Sequence, residues 1–154
     1  MMPAAGHVLP AVILLVEDDP GDQELTRRAI EACRLRNELR IVRDGEEALE
    51  YLLRTGRYED ATTAPRPDLV LLDLNLPRVN GREVLRRMRD DPYLRRIPVV
   101  VLTTSHEEED VIKSYELGSN SYITKPLDIH QFVRVVQQLE RYWFQIVVLP
   151  PNEE

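Results

Sequence analysis

Cysteine, histidine and long apolar runs are all scarce in this chain. Cys33 is the only cysteine, so no internal disulfide can form, and its helical spacing from Leu25 and Ala29 marks it as a small core residue. A lone thiol suits a reducing, cytoplasmic compartment. His7, His106 and His130 are scattered without ligand spacing, which leaves a zinc site unsupported. No stretch approaches the ~20 apolar residues that a membrane helix needs, so no membrane role is expected. The apolar stretch from Val8 to Val16 has no basic residue before it and no small-residue cleavage site after it, and it runs straight into Glu17-Asp18-Asp19. It therefore reads as a buried strand and not as a secretory signal. Basic charge is also short. The 20 Lys and Arg stand against 27 Asp and Glu, and the resulting net charge of -7 argues against binding to a phosphate backbone, hence against a nucleic-acid partner.

What the chain does have is order in its apolar segments. Its 154 residues suffice for one well-cored domain and are too few for two. Ala11-Val-Ile-Leu-Leu-Val16 stops at Glu17-Asp18-Asp19, Leu69-Val-Leu-Leu72 at Asp73, and Val99-Val-Val-Leu102 at Thr103-Thr104; a weaker run, Ser121-Tyr-Ile-Thr124, stops at Lys125-Pro126. The three strong runs are apolar at every residue, as central parallel strands covered on both faces must be. A further weak strand spans Leu39 to Val42. Between them lie segments of helical period: Leu25, Ala29, Ala32 and Cys33; Ala48, Leu49, Leu52 and Leu53; Val84, Leu85 and Met88; Val111, Ile112 and Tyr115; Ile129, Phe132, Val133, Val136 and Leu139.

Strand and helix thus alternate five times. Right-handed crossovers with two weak edge strands predict an α/β fold of the flavodoxin-like, doubly wound kind, a five-stranded parallel sheet in the order 2-1-3-4-5 with a C-terminal extension. Asp44-Gly45 and Asn80-Gly81 read as turns into the second and third helices, Ser105 with Glu108 as a capping box opening the fourth, and Gly118 as its end. Residues 56–67 are polar and Pro-bearing, as a surface loop would be.

In such a sheet the polar residues closing the runs meet at one carboxyl edge. Carboxylates facing one another repel, by about 4 kcal/mol for a pair at 4 Å and an effective dielectric of 20, so a cation is expected among them. Oxygen donors without clustered His or Cys select a hard ion such as Mg²⁺. Asp73 is the best nucleophile candidate, because a carboxylate can form an acyl phosphate and this one is followed by the loop Leu74-Asn-Leu-Pro77. Lys125 and the Thr103 hydroxyl could then contact the phosphoryl oxygens. Each residue has a bland reading too. Asp18 or Asp19 ahead of Pro20 is equally a helix N-cap, Thr103 or Thr104 a turn residue, Lys125 a solvated lysine. Their coincidence at one edge favours the functional reading.

Four spaced segments carry a resemblance: Ile13-Leu-Leu-Val-Glu-Asp-Asp19, Pro67-Asp-Leu-Val-Leu-Leu-Asp73-Leu-Asn-Leu-Pro77-Arg-Val-Asn-Gly81, Val101-Leu-Thr103-Thr and Tyr122-Ile-Thr-Lys125-Pro126. Together the chain resembles the receiver domain of two-component response regulators over residues 10–142. The resemblance implies that Asp73 accepts a phosphoryl group from a histidine kinase. It implies that Asp18 and Asp73 ligate Mg²⁺ with the Asn75 backbone carbonyl while Glu17 acts through water, that Thr103 and Lys125 contact the phosphoryl group, and that Tyr122 is the aromatic switch. A cis Lys125-Pro126 peptide is expected with it.

The loop after the second helix and the tail look like the stand-alone regulators paired with phytochrome-type kinases, so a bacteriophytochrome is the expected partner. No output domain is recognised, and signalling through protein contacts is expected. Residues 143–154 read as a C-terminal extension. Its apolar run 144–149, Phe144 to Leu149, is expected to pair two copies as a homodimer arm, against the blander reading of packing on its own domain. Glu107-Glu-Glu-Asp110 reads mainly as a helix start stabilised by the macrodipole. Two other functions remain open: a scaffold with the fold but no phosphorylation, and an aspartyl-phosphate phosphatase. The second fits less well, since Asn75 stands where such enzymes carry a second acid.

Overall fold

The computed structural model describes residues 11–32, 37–103 and 121–124, together with His130 and Arg134. Strands β1 (Ala11–Val16), β2 (Asn37–Val42), β3 (Leu69–Asp73), β4 (Val99–Thr103) and β5 (Ser121–Thr124) form one parallel sheet in the order β2-β1-β3-β4-β5, as expected. Successive side chains of a strand point to opposite faces, and both faces are covered. Leu14, Val16, Val70, Leu72, Val99 and Val101 pack with helices α2 (Gly45–Leu53) and α3 (Gly81–Asp90). Ile13, Leu15, Leu69, Leu71, Val100 and Leu102 pack on the other face with Ala29 and Ile30 of helix α1 (Pro20–Ala32). With a core on each side, no position of β1, β3 or the described part of β4 can be polar until the strand reaches its carboxyl end.

The local signals do what their chemistry allows. The Asp44 side chain accepts from the Glu47 amide at 2.7 Å and the Asn80 side chain from the Glu83 amide at 3.0 Å, so both predicted turns are N-caps. Val84, Leu85 and Met88 are all buried. In α1 the apolar stripe is rotated from the expected one. Leu25 is 50% exposed, while Thr26, Ala29 and Ile30 face the sheet. Strand β2 begins two residues before Leu39, because Ala11 and Val12 of β1 offer partners to Asn37 and Glu38.

Residues 56–67 are more ordered than a polar loop suggests. They contain 3-10 turns at Gly56–Tyr58 and Ala61–Thr63. The Tyr58 ring meets the Tyr51 ring edge-on at 5.0 Å, its hydroxyl donates to Glu47 at 2.6 Å, and the Tyr51 hydroxyl donates to the Pro65 carbonyl at 2.7 Å. Cys33, the expected fourth helix with Ser105, Glu107 to Asp110 and Gly118, the expected fifth helix apart from His130 and Arg134, the Lys125-Pro126 peptide and the 144–149 tail lie outside the described residues. Among the described residues, no helix is long and apolar enough to cross a membrane.

Candidate functional site

Parallel register builds the site. Val16 of β1 pairs with Leu72 of β3, so one step further the chain sets Glu17 beside Asp73. Glu17 is fully buried, Asp73 is 3% exposed, and Asp18 is open to solvent. One carboxylate oxygen from each of the three lies within 4.8 Å of the others. The backbone fixes this arrangement from several sides. The Glu17 amide donates to the Val42 carbonyl at 3.0 Å, and the Gln23 side chain donates to the Glu17 carbonyl at 2.7 Å. The Asp19 amide donates to Glu17 Oε2 at 3.2 Å. Beyond Asp73, the Leu74 amide donates to the Leu102 carbonyl at 3.3 Å and the Asn75 amide to Asp73 Oδ1 at 3.0 Å.

The structure divides the two readings of the acidic pair between its members. Asp19 is the helix cap: its Oδ2 accepts from the Asp22 amide at 2.8 Å at the start of α1. Asp18 is the residue turned to the cluster with Glu17 and Asp73. Three carboxylates, with no nitrogen or sulfur donor beside them among the described residues, are a donor set that fits a hard divalent cation, and such a cation offsets the repulsion that gathering them creates.

Of the other expected site residues, Thr103 closes β4 one step past Leu102, the register partner of Asp73, and itself pairs with Thr124. Lys125 follows Thr124 and lies outside the described residues. Tyr122 pairs with Val101 in β5.

Three contributors were not anticipated. Gln23 is one. Gly81 is another, because a Cβ there would lie 2.4 Å from the Asp73 carbonyl oxygen and 2.6 Å from Leu74 Cα, so only glycine lets α3 begin against the backbone of Asp73. Its amide donates to the Leu74 carbonyl at 3.0 Å. The third is Arg78, which holds a left-handed backbone at φ 68° and reaches Asp44, the N-cap of α2, and Glu46 within it, each at 3.5 Å. The Asn80-Gly81 pair carried a signal for the second of these. No sequence period marks the other two.

Comparison with known proteins agrees with this geometry. Residues 13–137 match the family model of the response regulator receiver domain. The response regulator Rcp1 of Synechocystis sp. is 49% identical over 141 residues, which span 92% of this chain and 94% of Rcp1. The Mn²⁺-bound form of Rcp1 superposes with a TM-score of 0.72 at 48% identity, over 92% of this chain and 100% of that one. The bacteriophytochrome response regulator RtBRR gives a TM-score of 0.80 at 49% identity, over 94% of this chain and 85% of that one. The phosphorylated cyanobacterial phytochrome response regulator RcpA gives 0.73 at 45% identity, over 93% and 100%.

Proposed function

The chain belongs to the response regulator receiver family, in its phytochrome-associated branch, and on that premise we propose that it accepts a phosphoryl group from a histidine kinase onto Asp73. Proteins of this family are signalling components of two-component systems, and this chain is one of them. The observation that carries the phosphoacceptor reading is the cluster itself. The buried Asp73 carboxylate closes a central strand, with Glu17 and Asp18 oxygens within 4.8 Å.

In the transfer, an Asp73 carboxylate oxygen attacks phosphorus and the P–N bond of the kinase phosphohistidine breaks. The electron pair returns to the imidazole, and an acyl phosphate remains on Asp73. Asp18, Asp73 and the Asn75 backbone carbonyl would hold Mg²⁺, with Glu17 acting through water. When bound, the ion neutralises charge on the transferring oxygens. The Thr103 hydroxyl and the Lys125 ammonium would contact the phosphoryl oxygens, and Tyr122 would move with Thr103 as the switch that alters a partner surface.

The reading includes a receiver domain over residues 10–142 and an extension over 143–154 whose 144–149 run joins two copies. It places the protein in the cytoplasm and makes a bacteriophytochrome kinase the phosphodonor, a choice supported by the likeness to RtBRR and RcpA. Mass spectrometry after incubation with Mg²⁺ and acetyl phosphate tests the acceptor. The wild type should gain one phosphoryl group and Asp73→Asn none; equal labelling of the two proteins would remove Asp73 from the role.

A further inference from the structure

Charge is unevenly divided between the two ends of the sheet. Glu17, Asp18 and Asp73 gather at the carboxyl edge. Residues 81–97, which form α3 and the turn leading back to the start of β4, contain Arg82, Arg86, Arg87, Arg89, Arg95 and Arg96 against Glu83, Asp90 and Asp91, a net +3 in a chain of -7, which leaves -10 for the remainder. Arg86, Arg87, Arg89, Arg95 and Arg96 are all exposed. Arg86 pairs with Glu83. Among the described residues, Arg87, Arg89, Arg95 and Arg96 have no ion-pair partner. Asp91, the nearest acid in sequence to Arg95 and Arg96, is engaged elsewhere: its carboxylate accepts from the Leu94 amide at 3.0 Å and the Tyr93 amide at 2.8 Å, and these bonds hold its pKa below the usual carboxylate range.

The turn that carries this charge is built firmly. The Arg95 amide donates to the Asp91 carbonyl at 3.0 Å, Leu94 is 1% exposed in the core, and Ile97 packs against the same core. Anchored on either side, the 3-10 turn Leu94–Arg96 presents Arg95 and Arg96 outward, and Tyr93 just before it is 74% exposed. Cations in the last turn of α3, Arg87 and Arg89, are accounted for by the helix macrodipole. That effect fades within a turn and does not explain Tyr93, Arg95 and Arg96 beyond the helix. A large exposed aromatic among arginines is the composition enriched at the centres of protein interfaces.

We infer that Arg87, Arg89, Tyr93, Arg95 and Arg96 form a docking surface for a carboxylate-rich segment of a partner protein, at the end of the sheet opposite the phosphoacceptor. The guanidinium fork matches carboxylates in bidentate fashion, and the chain has 18 Arg but only 2 Lys, so the positive surface consists of forks and not of point charges. A nucleic acid carries the same sign of charge, but its extended backbone would meet the field of the -10 remainder, whereas a short acidic segment need cover only the patch.

Fluorescence anisotropy with a labelled oligoglutamate peptide and a labelled single-stranded DNA of equal charge tests this on the full chain. Saturable, salt-sensitive peptide binding is expected, at least tenfold weaker in the triple variant Tyr93→Ser, Arg95→Ser, Arg96→Ser and in the separate pair Arg87→Ser, Arg89→Ser. Melting temperature and acetyl phosphate labelling should be unchanged in both, which separates this surface from the Asp73 chemistry. Absence of saturable peptide binding, binding unaltered by either variant, or DNA bound as tightly as the peptide would each overturn the assignment.

Discussion

The Asp19 carboxylate is taken up by the Asp22 amide at 2.8 Å, while one residue earlier Asp18 shares a 4.8 Å cluster with Glu17 and Asp73. Two substitutions should therefore separate. Asp19→Ala removes a cap and should cost about 1 kcal/mol of stability in chemical denaturation, with Mg²⁺ affinity little changed. Asp18→Asn should leave the metal-free protein as stable as the wild type, or more stable, because a repulsive charge is gone. Its Mg²⁺-dependent rise in melting temperature should shrink, as expected for an affinity lower by tenfold or more. Gly81 sets a steric limit at the same place. Gly81→Ala forces a Cβ toward the Asp73 carbonyl oxygen, 2.4 Å from its ideal position, so the loop must shift. A loss of about 1–3 kcal/mol is expected on thermal unfolding, together with slower acetyl phosphate labelling as Asp73 is displaced.

Helix α2 and the segment after it behave as one unit. The Tyr58 phenol is pushed up to about 12, first by burial and then by its bond to the Glu47 carboxylate; burial raises Tyr51 as well. A phenol whose folded pKa exceeds its unfolded one near 10 gives stability that is complete below pH 10 and is lost as pH rises through about 12. Absorbance titration should show late-ionising tyrosines, one fewer in Tyr58→Phe, and unfolding of that variant should depend less on pH above 10.

None of this was legible in the sequence, where residues 56–67 are polar and Pro-bearing and show no helical or strand period. The order comes from two aromatic rings and from Ala64, a buried residue with no periodic neighbours. The α1 stripe shows a different failure. Leu25 is the most apolar residue of its turn, yet the helix buries Thr26, and a stripe one position off looks almost the same to a period count. Strands β1, β3 and β4 were readable because burial on both faces leaves an unbroken apolar run.

At the scale of the molecule, the sheet order followed from two weak strands flanking three strong ones, and the gathering of Glu17, Asp18 and Asp73 followed from where the runs stop. Gln23 and Arg78 escaped notice because each acts on the backbone or across a loop, at separations that no short pattern spans, and Asn80-Gly81 signalled a turn but not the close approach of Gly81 to the Asp73 backbone. The proposed 144–149 arm belongs to this scale. Light scattering should give twice the monomer mass for the full chain and the monomer mass after removal of residues 143–154. A dimer that survives the truncation would assign assembly to another surface.

The short segment Glu17-Asp18-Asp19 touches both the carboxylate cluster and the first turn of α1: Glu17 accepts from the Asp19 amide and its carbonyl from the Gln23 side chain, while Asp19 caps the helix. These contacts give the cluster and the first turn of α1 a shared set of hydrogen bonds through which cation occupancy can bear on the placement of the helix. If cation binding repositions the helix and so alters its affinity for a second molecule by some factor, that molecule must alter cation affinity by the same factor. On the proposed reading, the divalent ion would then be an effector of whatever bears on α1 as well as an aid to phosphoryl transfer, and the two influences would be reciprocal.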